Sequence, residues 1–185
     1  MIYQSLRVDI EKMIDGDKML ASRPISVGKP SKMLSECGAK SDHEITITKR
    51  VIDKALRSEK RDEGGRLIGN TGHGLTVEHI IRLIQELDAP ALIFRGTLEK
   101  TLLAVTNICD QKSRNIVVAI ELDRREGFSE VNSIRSLYGR DNLSYFIGEK
   151  IDNGYLLAAN KEKADDLLRS IGKSYPKENT FISFN

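Results

Sequence analysis

The sequence lacks several features that would assign it to a class of protein at once. Its 185 residues include no tryptophan, and aromatic residues make up 5% of the chain, so few rings are available to stack on nucleic-acid bases. The formal net charge is only +2, which does not by itself indicate a nucleic-acid-binding protein. Any such function would need a local cluster of basic residues.

Long hydrophobic runs are also absent. No apolar run approaches the roughly 18 residues that a membrane-spanning helix needs, and the N-terminus lacks the apolar core of a signal peptide. We therefore expect no membrane partner and a location in the cytoplasm of the cell that makes the protein.

Residue types that hold metals and cofactors are sparse. Cys37 and Cys109 lie far apart without CxxC or Cys/His ligand spacing, so we expect two free, buried thiols in a reducing compartment. Three scattered histidines and the lack of a paired-carboxylate motif leave too few ligands for a typical metal site. No phosphate-binding loop or dinucleotide fingerprint is present. The sequence predicts neither a metal nor a cofactor.

Hydrophobic periodicity divides the chain into a helix-rich first part and a strand-rich second part. Residues 1–22 have near-helical apolar spacing and are predicted to be a helical arm or the remnant of a linker, followed by a single domain over residues 23–185. After Pro90 the apolar period changes to two. Helices followed by an antiparallel meander predict an α+β fold. Helix caps are predicted at Ser31, Thr48, Thr76 and Asp141, with Gly154 ending a helix.

His73 differs from the other two histidines. It lies between Gly72 and Gly74, just before a predicted helix, where packing needs no imidazole. An imidazole titrates near neutral pH and can give or take a proton in catalysis, and the start of a helix favours an anion. His73 is therefore a candidate catalytic residue, the alternative being a turn residue that bonds a carbonyl. His43 and His79 are interpreted as solvated residues.

A second candidate is the segment "NSIRSLYGRDN", residues 132–142. Alternation predicts Ile134, Ser136 and Tyr138 on one partly buried face, where a hydroxyl and a phenol need partners or a ligand. Arg140 follows at the strand end, just before a helix. Such a strand end can form an oxyanion or phosphate site, and the alternative is an ordinary strand-to-helix turn.

Several sequence blocks, taken in order, resemble one family. The segments "HGLTVEHIIRLIQELDAPALIF", "NIVVAIEL", "NSIRSLYGRDN" and "NGYLLAANK" resemble the C-terminal domain of MuF-type phage head-morphogenesis proteins, a family grouped with the barnase/EndoU/colicin/RelE-like nuclease fold. Upstream, "ISVGKPSKMLSECGAKSDHEITITKRVIDKAL" is similar to the opening of that domain, so the resemblance covers about residues 23–185. The family's "GNLLY" is "GYLLA" here, with Tyr155 placed earlier, and no role carries over to Ala158.

The resemblance implies helices packed on a curved antiparallel sheet, as in barnase and RelE, and for many relatives a toxin-like ribonuclease activity without metal. In such enzymes a base removes the 2′-OH proton of RNA, the oxygen attacks the adjacent phosphorus, and an acid protonates the leaving 5′-oxygen. The matched positions give His73, Ser136 and Arg140 as the expected catalytic residues. The expected substrate-binding residues are Tyr138, Arg135 and Asn142.

The implied partners are RNA, an immunity protein, and a parent phage head protein if the domain is part of a longer chain. The expected location is a bacterial cytoplasm or the virion. Two other function classes stay open, since a fold does not settle a function. One is an NAD-consuming or ADP-ribosyl-transferring toxin, for which Glu121 and Glu130 are candidates by residue type alone. The other is a non-enzymatic module that binds the virion or the host, with a structural His73.

Overall fold

The computed structural model describes residues 2–60, 62–64, 66, 68, 72–174 and 181–184, and they form an α+β fold around one sheet. The helices in these ranges are α1 (Ile2–Ile14), α2 (Lys18–Ala21), α3 (Lys32–Glu36), α4 (Lys49–Leu56), α5 (Val77–Glu86), α6 (Leu143–Asp152) and α7 (Lys161–Ser170). The strands are β1 (Ile25–Gly28), β2 (Ile45–Ile47), β3 (Leu92–Arg95), β4 (Thr101–Cys109), β5 (Asn115–Glu126), β6 (Ser129–Gly139), β7 (Leu156–Asn160) and β8 (Ile182–Phe184). The predicted α+β class is confirmed.

The eight strands form a single sheet in the order β1-β2-β6-β5-β4-β3-β7-β8. The run β6-β5-β4-β3-β7 is antiparallel, and it contains the predicted meander. However, β2 pairs in parallel with β6, and β8 pairs in parallel with β7. The prediction of a purely antiparallel sheet is therefore wrong at these two places. Parallel neighbours are joined by long crossover connections, and alternation within a strand does not reveal which strand lies beside it.

The sheet lies between two helical layers, because alternate residues of its strands belong to two separate hydrophobic clusters. Along β3, for example, Ile93 packs with side chains of α1, α4 and α5, whereas Leu92 and Phe94 pack with side chains of α6 and α7. Both clusters are made of aliphatic and aromatic side chains that are almost completely removed from solvent. The candidate site residues of β6 lie at one end of this layered core.

The predicted N-terminal helix is present as α1. Its Leu6, Ile10 and Met13 are buried in the same hydrophobic cluster as residues of α4 and α5. These three side chains follow the near-helical spacing seen in the sequence. The division of the chain at residue 22 stays a prediction.

The helix starts follow the predicted caps with two differences. Ser31 Oγ accepts from the N–H of Leu34 and starts α3 as predicted, whereas Thr48 starts α4 without a side-chain cap bond. At α5, Thr76 and His79 form a reciprocal capping box in which the imidazole takes the place of the usual carboxylate or amide. His79 is therefore a capping residue rather than a freely solvated one.

The start of α6 was predicted one residue too early. Its N-cap is Asn142, which has left-handed backbone angles, φ 53° and ψ 47°, and makes no side-chain cap bond. Asp141 instead lies 3.3 Å from Nη1 of Arg114. The end of the helix is as predicted, since Gly154 follows it with a φ of +69°.

Both cysteines are free, but only Cys37 is partly buried. Burial raises the pKa of the Cys37 thiol to about 12. Cys109 is exposed at the end of β4, so the prediction of two buried thiols is wrong for this residue. Among the residues that the structure describes, no helix combines the length and the apolar character that crossing a bilayer requires.

Candidate active site

The segment that carries His73 is held against the C-terminal end of α4. The backbone N–H groups of residues 73, 74 and 75 donate to carbonyl groups of Lys54, Arg57 and Ala55, at 3.1, 2.8 and 2.8 Å. These bonds satisfy carbonyl groups that the end of a helix leaves without partners. A Cβ at Gly72 would lie 1.8 Å from the carbonyl oxygen of Arg57, so this close approach requires glycine. Gly74 has a φ of +65°, which also favours glycine. The two glycines therefore let the chain place His73 here.

The imidazole of His73 faces the end of β6. Its Nε2 atom lies 3.5 Å from Oγ of Ser136, and its ring centroid lies 5.9 Å from that of Tyr138. His73 and Ser136, both expected to be catalytic residues, are 63 residues apart in sequence and lie side by side in the fold. Their catalytic roles stay predictions.

A bulge in β6 determines which side chains face His73. Ile134 pairs with Ile120 and Ser136 pairs with Ala119, so that Arg135 is the extra residue of the bulge. Because of this extra residue, Ile134 points to the opposite face of the sheet from Ser136 and Tyr138. The prediction that these three side chains share a face is therefore wrong. The strand β2 pairs with residues 132–134 of β6. Beyond these residues, at Ser136 and Tyr138, the neighbour of β6 is His73.

His73 is half-buried, and its surroundings favour the neutral imidazole. Burial lowers its pKa from 6.5, the nearby cations of Lys54 and Arg114 lower it further, and Glu59 opposes them, giving a pKa of about 4. At neutral pH the ring is therefore uncharged and one ring nitrogen can accept a proton. Burial also raises the pKa of Tyr138, with Arg140 opposing the shift, so its phenol keeps its proton.

A buried ion cluster lies beside His73. Arg114 donates to Asp110 and to Glu59, and the side chains of these three residues are only 10%, 2% and 7% exposed. Burial opposes the ionisation of Asp110, but hydrogen bonds from Arg114 and from backbone N–H groups outweigh it and lower the pKa of Asp110. These carboxylates in turn raise the pKa of Arg114 despite its burial. Asp110 and Arg114 are therefore both ionised at neutral pH.

The cluster and His73 line the same cavity, of about 330 Å³, which we call the His73 cavity. A Cβ at Gly139 would lie 2.1 Å from Oδ2 of Asp110, so glycine at the end of β6 lets the cluster approach the strand. The ion pairs of Arg114 thus fix the position from which its positive charge lowers the pKa of His73.

Arg140 lies on the other side of Tyr138. Its guanidinium carbon is 4.6 Å from the ring centroid of Phe146, an arrangement typical of a cation–π contact. Arg140, Tyr138 and Phe146 line a second cavity of about 390 Å³, which we call the Arg140 cavity. Tyr138 therefore connects the His73 side of the site with the Arg140 side, although His73 and Arg140 line different cavities.

The family model of the phage MuF C-terminal domain matches residues 68–166, more than half of the chain. The chain belongs to the phage MuF C-terminal domain family. The matched residues include His73, Ser136, Tyr138 and Arg140, and they exclude α1 to α4. No curated protein and no solved structure matches the chain.

Two of the predicted substrate-binding residues of this MuF C-terminal domain lie apart from both cavities. Arg135, the bulge residue, is exposed, and its Nε lies 3.2 Å from Oε2 of Glu121. Asn142 is the exposed N-cap of α6. Neither side chain lines the His73 cavity or the Arg140 cavity. Their predicted role in binding has no support from their positions.

The structure also brings together residues that could hold a metal. One ligand atom each of His43, Asp123 and Glu130 lies within 4.8 Å of the others. However, Nζ of Lys40 lies 3.1 Å from Asp123 and 3.6 Å from Glu130, so an ammonium group already balances these carboxylates. His43, predicted to be on the surface, has a side chain only 12% exposed. The expectation of no catalytic metal stays a prediction.

Sequence reasoning missed the ion cluster of Arg114, Asp110 and Glu59. The signal for one part of it was available, because Asp110 and Arg114 bracket the predicted hairpin "DQKSRN" with opposite charges. Glu59 lies in a polar segment upstream of the family match, and nothing in its sequence context indicated a buried position.

Proposed function

We propose that this MuF C-terminal domain is a metal-independent endoribonuclease with a fold of the barnase/RelE-like nuclease type. The observation that carries the proposal is the half-buried, neutral imidazole of His73, with the hydroxyl of Ser136 3.5 Å from its Nε2. A neutral imidazole can accept the proton of an alcohol and later return it, as attack by a ribose 2′-OH requires.

In the proposed reaction His73 carries the proton in both directions. With Nε2 engaged by Ser136, the other ring nitrogen, Nδ1, accepts the proton of the ribose 2′-OH, the 2′-oxygen bonds to the adjacent phosphorus, and the bond from phosphorus to the 5′-oxygen breaks. An imidazolium with a pKa of about 4 is a strong acid, so it readily returns its proton to the leaving 5′-oxygen. The products are a 2′,3′-cyclic phosphate and a 5′-hydroxyl, and no metal is needed.

The neighbouring groups have separate parts in this proposal. Ser136 Oγ accepts from the Nε2–H of the neutral ring and so orients the imidazole with its other nitrogen unprotonated. Arg140, which lines the other cavity, supplies positive charge to the RNA backbone beside the cleaved linkage, whereas Arg114 is already bound by two carboxylates and acts by tuning His73. Glu121 and Glu130 line neither cavity, so no observation favours an ADP-ribosyl-transferring site.

The proposal is tested with a short synthetic RNA and the same RNA carrying 2′-deoxyribose at each position, both in the presence of EDTA. We expect cleavage of the RNA only, with a cyclic phosphate on the product detected by mass spectrometry. His73→Gln should reduce the rate by about 10²–10⁴-fold, the usual contribution of one acid–base group. His43→Gln is the matched control and should cleave normally.

Two outcomes would contradict the proposal. Cleavage that disappears in EDTA and returns with a divalent ion would replace the mechanism with a metal-dependent one. A wild-type protein that leaves RNA intact in cells and in vitro would favour a non-enzymatic module that binds the virion or the host. Thermal unfolding of His73→Gln, measured in parallel, distinguishes lost chemistry from lost folding.

A further inference from the structure

The Arg140 cavity contains a lysine whose burial nothing in the proposed reaction explains. Lys150 is only 4% exposed, and its Nζ lies 5.8 Å from the ring centroid of Phe146 and 4.8 Å from that of Tyr155. Within the described ranges, no carboxylate or carbonyl oxygen forms a hydrogen bond or ion pair with this ammonium group. Two aromatic faces attract this cation but supply no hydrogen-bond acceptor for its N–H groups.

Arg140, which lines the same cavity, also has a nitrogen without a hydrogen-bond acceptor. Its Nε is buried and has no hydrogen-bond partner, and its guanidinium group contacts the ring of Phe146 that Lys150 also contacts. The carboxylate of Glu149 lines this cavity, yet it forms no ion pair with either cation in the described part of the chain. Two cations therefore share one ring and line one cavity, an arrangement suited to a negatively charged group.

We propose that Arg140 and Lys150 bind a backbone phosphate of a single-stranded nucleic acid in the Arg140 cavity. This inference rests on the proposed function, because it assigns the phosphate next to the one that is cleaved. The cavity of about 390 Å³ falls within the usual range for small-ligand sites and has room for a phosphate with its sugar. The rings of Tyr138 and Phe146, which also line it, can contact the attached nucleoside.

The position of the cavity supports a polynucleotide rather than a free phosphate ion. Tyr138 lines the Arg140 cavity, and its ring also lies beside the imidazole of His73. A chain bound with one phosphate between Arg140 and Lys150 can therefore continue past Tyr138 to His73. Arg140 and Lys150 would hold the substrate, while His73 acts on the adjoining linkage.

The test uses a fluorescein-labelled single-stranded DNA tetranucleotide, which lacks the 2′-OH and cannot be cleaved by the proposed mechanism. Binding is measured by fluorescence anisotropy at low salt for the wild type, Lys150→Met and Arg140→Gln. Each substitution should raise the Kd about tenfold or more, the effect of losing one charge-assisted contact. Lys12→Met, which removes an exposed lysine of α1, is the matched control and should leave the Kd within about twofold.

Thermal unfolding of Lys150→Met separates a binding role from a structural one. Methionine keeps the length and apolar packing of the side chain while it removes the buried charge, so we expect unchanged or greater stability together with weaker binding. A less stable variant that binds the tetranucleotide as the wild type does would overturn the inference. Inorganic phosphate that binds as tightly as the tetranucleotide would also overturn it, since the site would then belong to a free ion.

RNA cleavage by the same variants distinguishes the failure of this inference from the failure of the proposed function. If the tetranucleotide binds through Arg140 and Lys150 but no RNA is cleaved, the phosphate site stands and the ribonuclease proposal falls. If RNA is cleaved, and both substitutions leave binding and cleavage unchanged, the ribonuclease proposal stands and the phosphate site falls.

Discussion

The protonation of His73 gives the most direct test of the candidate site. Burial, followed by the nearby charges of Lys54 and Arg114, gives His73 a pKa of about 4 in place of 6.5. At pH 5.5 only about 3% of such an imidazole carries the extra proton, compared with about 90% for a histidine with the ordinary value. This difference is large enough to measure without knowledge of any substrate.

The assay is an NMR titration of the imidazole signals between pH 3.5 and 8. The sequence has three histidines, and comparison with His73→Gln identifies the signal of His73. We expect a midpoint near pH 4. If His73 accepts the 2′-OH proton, cleavage should be insensitive to this group at neutral pH and should fall as the pH falls through about 4. A midpoint near 6.5 would refute the reasoning.

Single charge substitutions test the cause of the shift. Lys54→Gln removes a cation that lowers the pKa of His73 and should raise it, whereas Glu59→Gln removes an opposing anion and should lower it. Lys18→Gln, which changes an exposed lysine at the start of α2, is the control and should have no effect. If neither Lys54→Gln nor Glu59→Gln moves the midpoint, the electrostatic part of the account is wrong.

The same shift predicts how stability depends on pH. Between pH 6.5 and about 4 the unfolded state binds a proton at residue 73 that the folded state does not bind. The unfolding free energy contributed by His73 is therefore present in full above pH 6.5 and is lost as the pH falls through this window. Above pH 6.5 the unfolding free energies of the wild type and of His73→Gln should depend on pH in the same way. Between pH 6.5 and about 4 the wild type should lose stability that the variant does not lose. Parallel curves throughout would contradict the shift.

Four further substitutions test the surrounding structure, each by chemical denaturation. Arg114→Met leaves the carboxylate of Asp110 buried without its partner and should lower the free energy of unfolding by about 3–5 kcal/mol. A loss below about 1 kcal/mol would show that the cluster is not effectively buried. Thr76→Ala removes a capping box and should cost about 1 kcal/mol, whereas Thr48→Ala removes no side-chain cap bond and should cost less. Gly139→Ala places a methyl group against the ion cluster and should cost roughly 1–3 kcal/mol, and an unchanged midpoint would contradict the close approach.

The parts of the fold that could be predicted are those set by local sequence. The hydrophobic period distinguished the helices from the meander, and Ser31, Thr76 and Gly154 marked helix ends because capping depends on a few neighbouring residues. The parallel partners of the sheet could not be predicted in this way, because β2 and β8 reach their neighbours through contacts between segments far apart in sequence.

The members of the candidate site were predictable only in part, since Arg135 and Asn142 line neither cavity and the ion cluster of Arg114 was missed. His73 and Ser136 were identifiable as polar residues at the ends of elements that packing does not need. The bulge at Arg135 was not visible, since an extra residue shifts every later side chain of the strand to the other face without altering the composition. The buried state of Lys150 was equally hidden, because it packs against Phe146 of α6 and against Tyr155, which lies beyond the end of that helix.

The turn that carries His73 and the ring of His73 make contacts with different parts of the molecule. The turn is held by backbone N–H groups of residues 73–75 that donate to carbonyl groups of α4, and its shape is permitted by Gly72 and Gly74. None of these interactions uses the imidazole. The ring contacts lead instead to Ser136 and Tyr138 on a distant strand, where the bulge has turned both side chains toward it. The turn therefore does not need the imidazole, which burial and neighbouring cations hold uncharged, and cleavage by His73→Gln decides whether the ring serves in proton transfer.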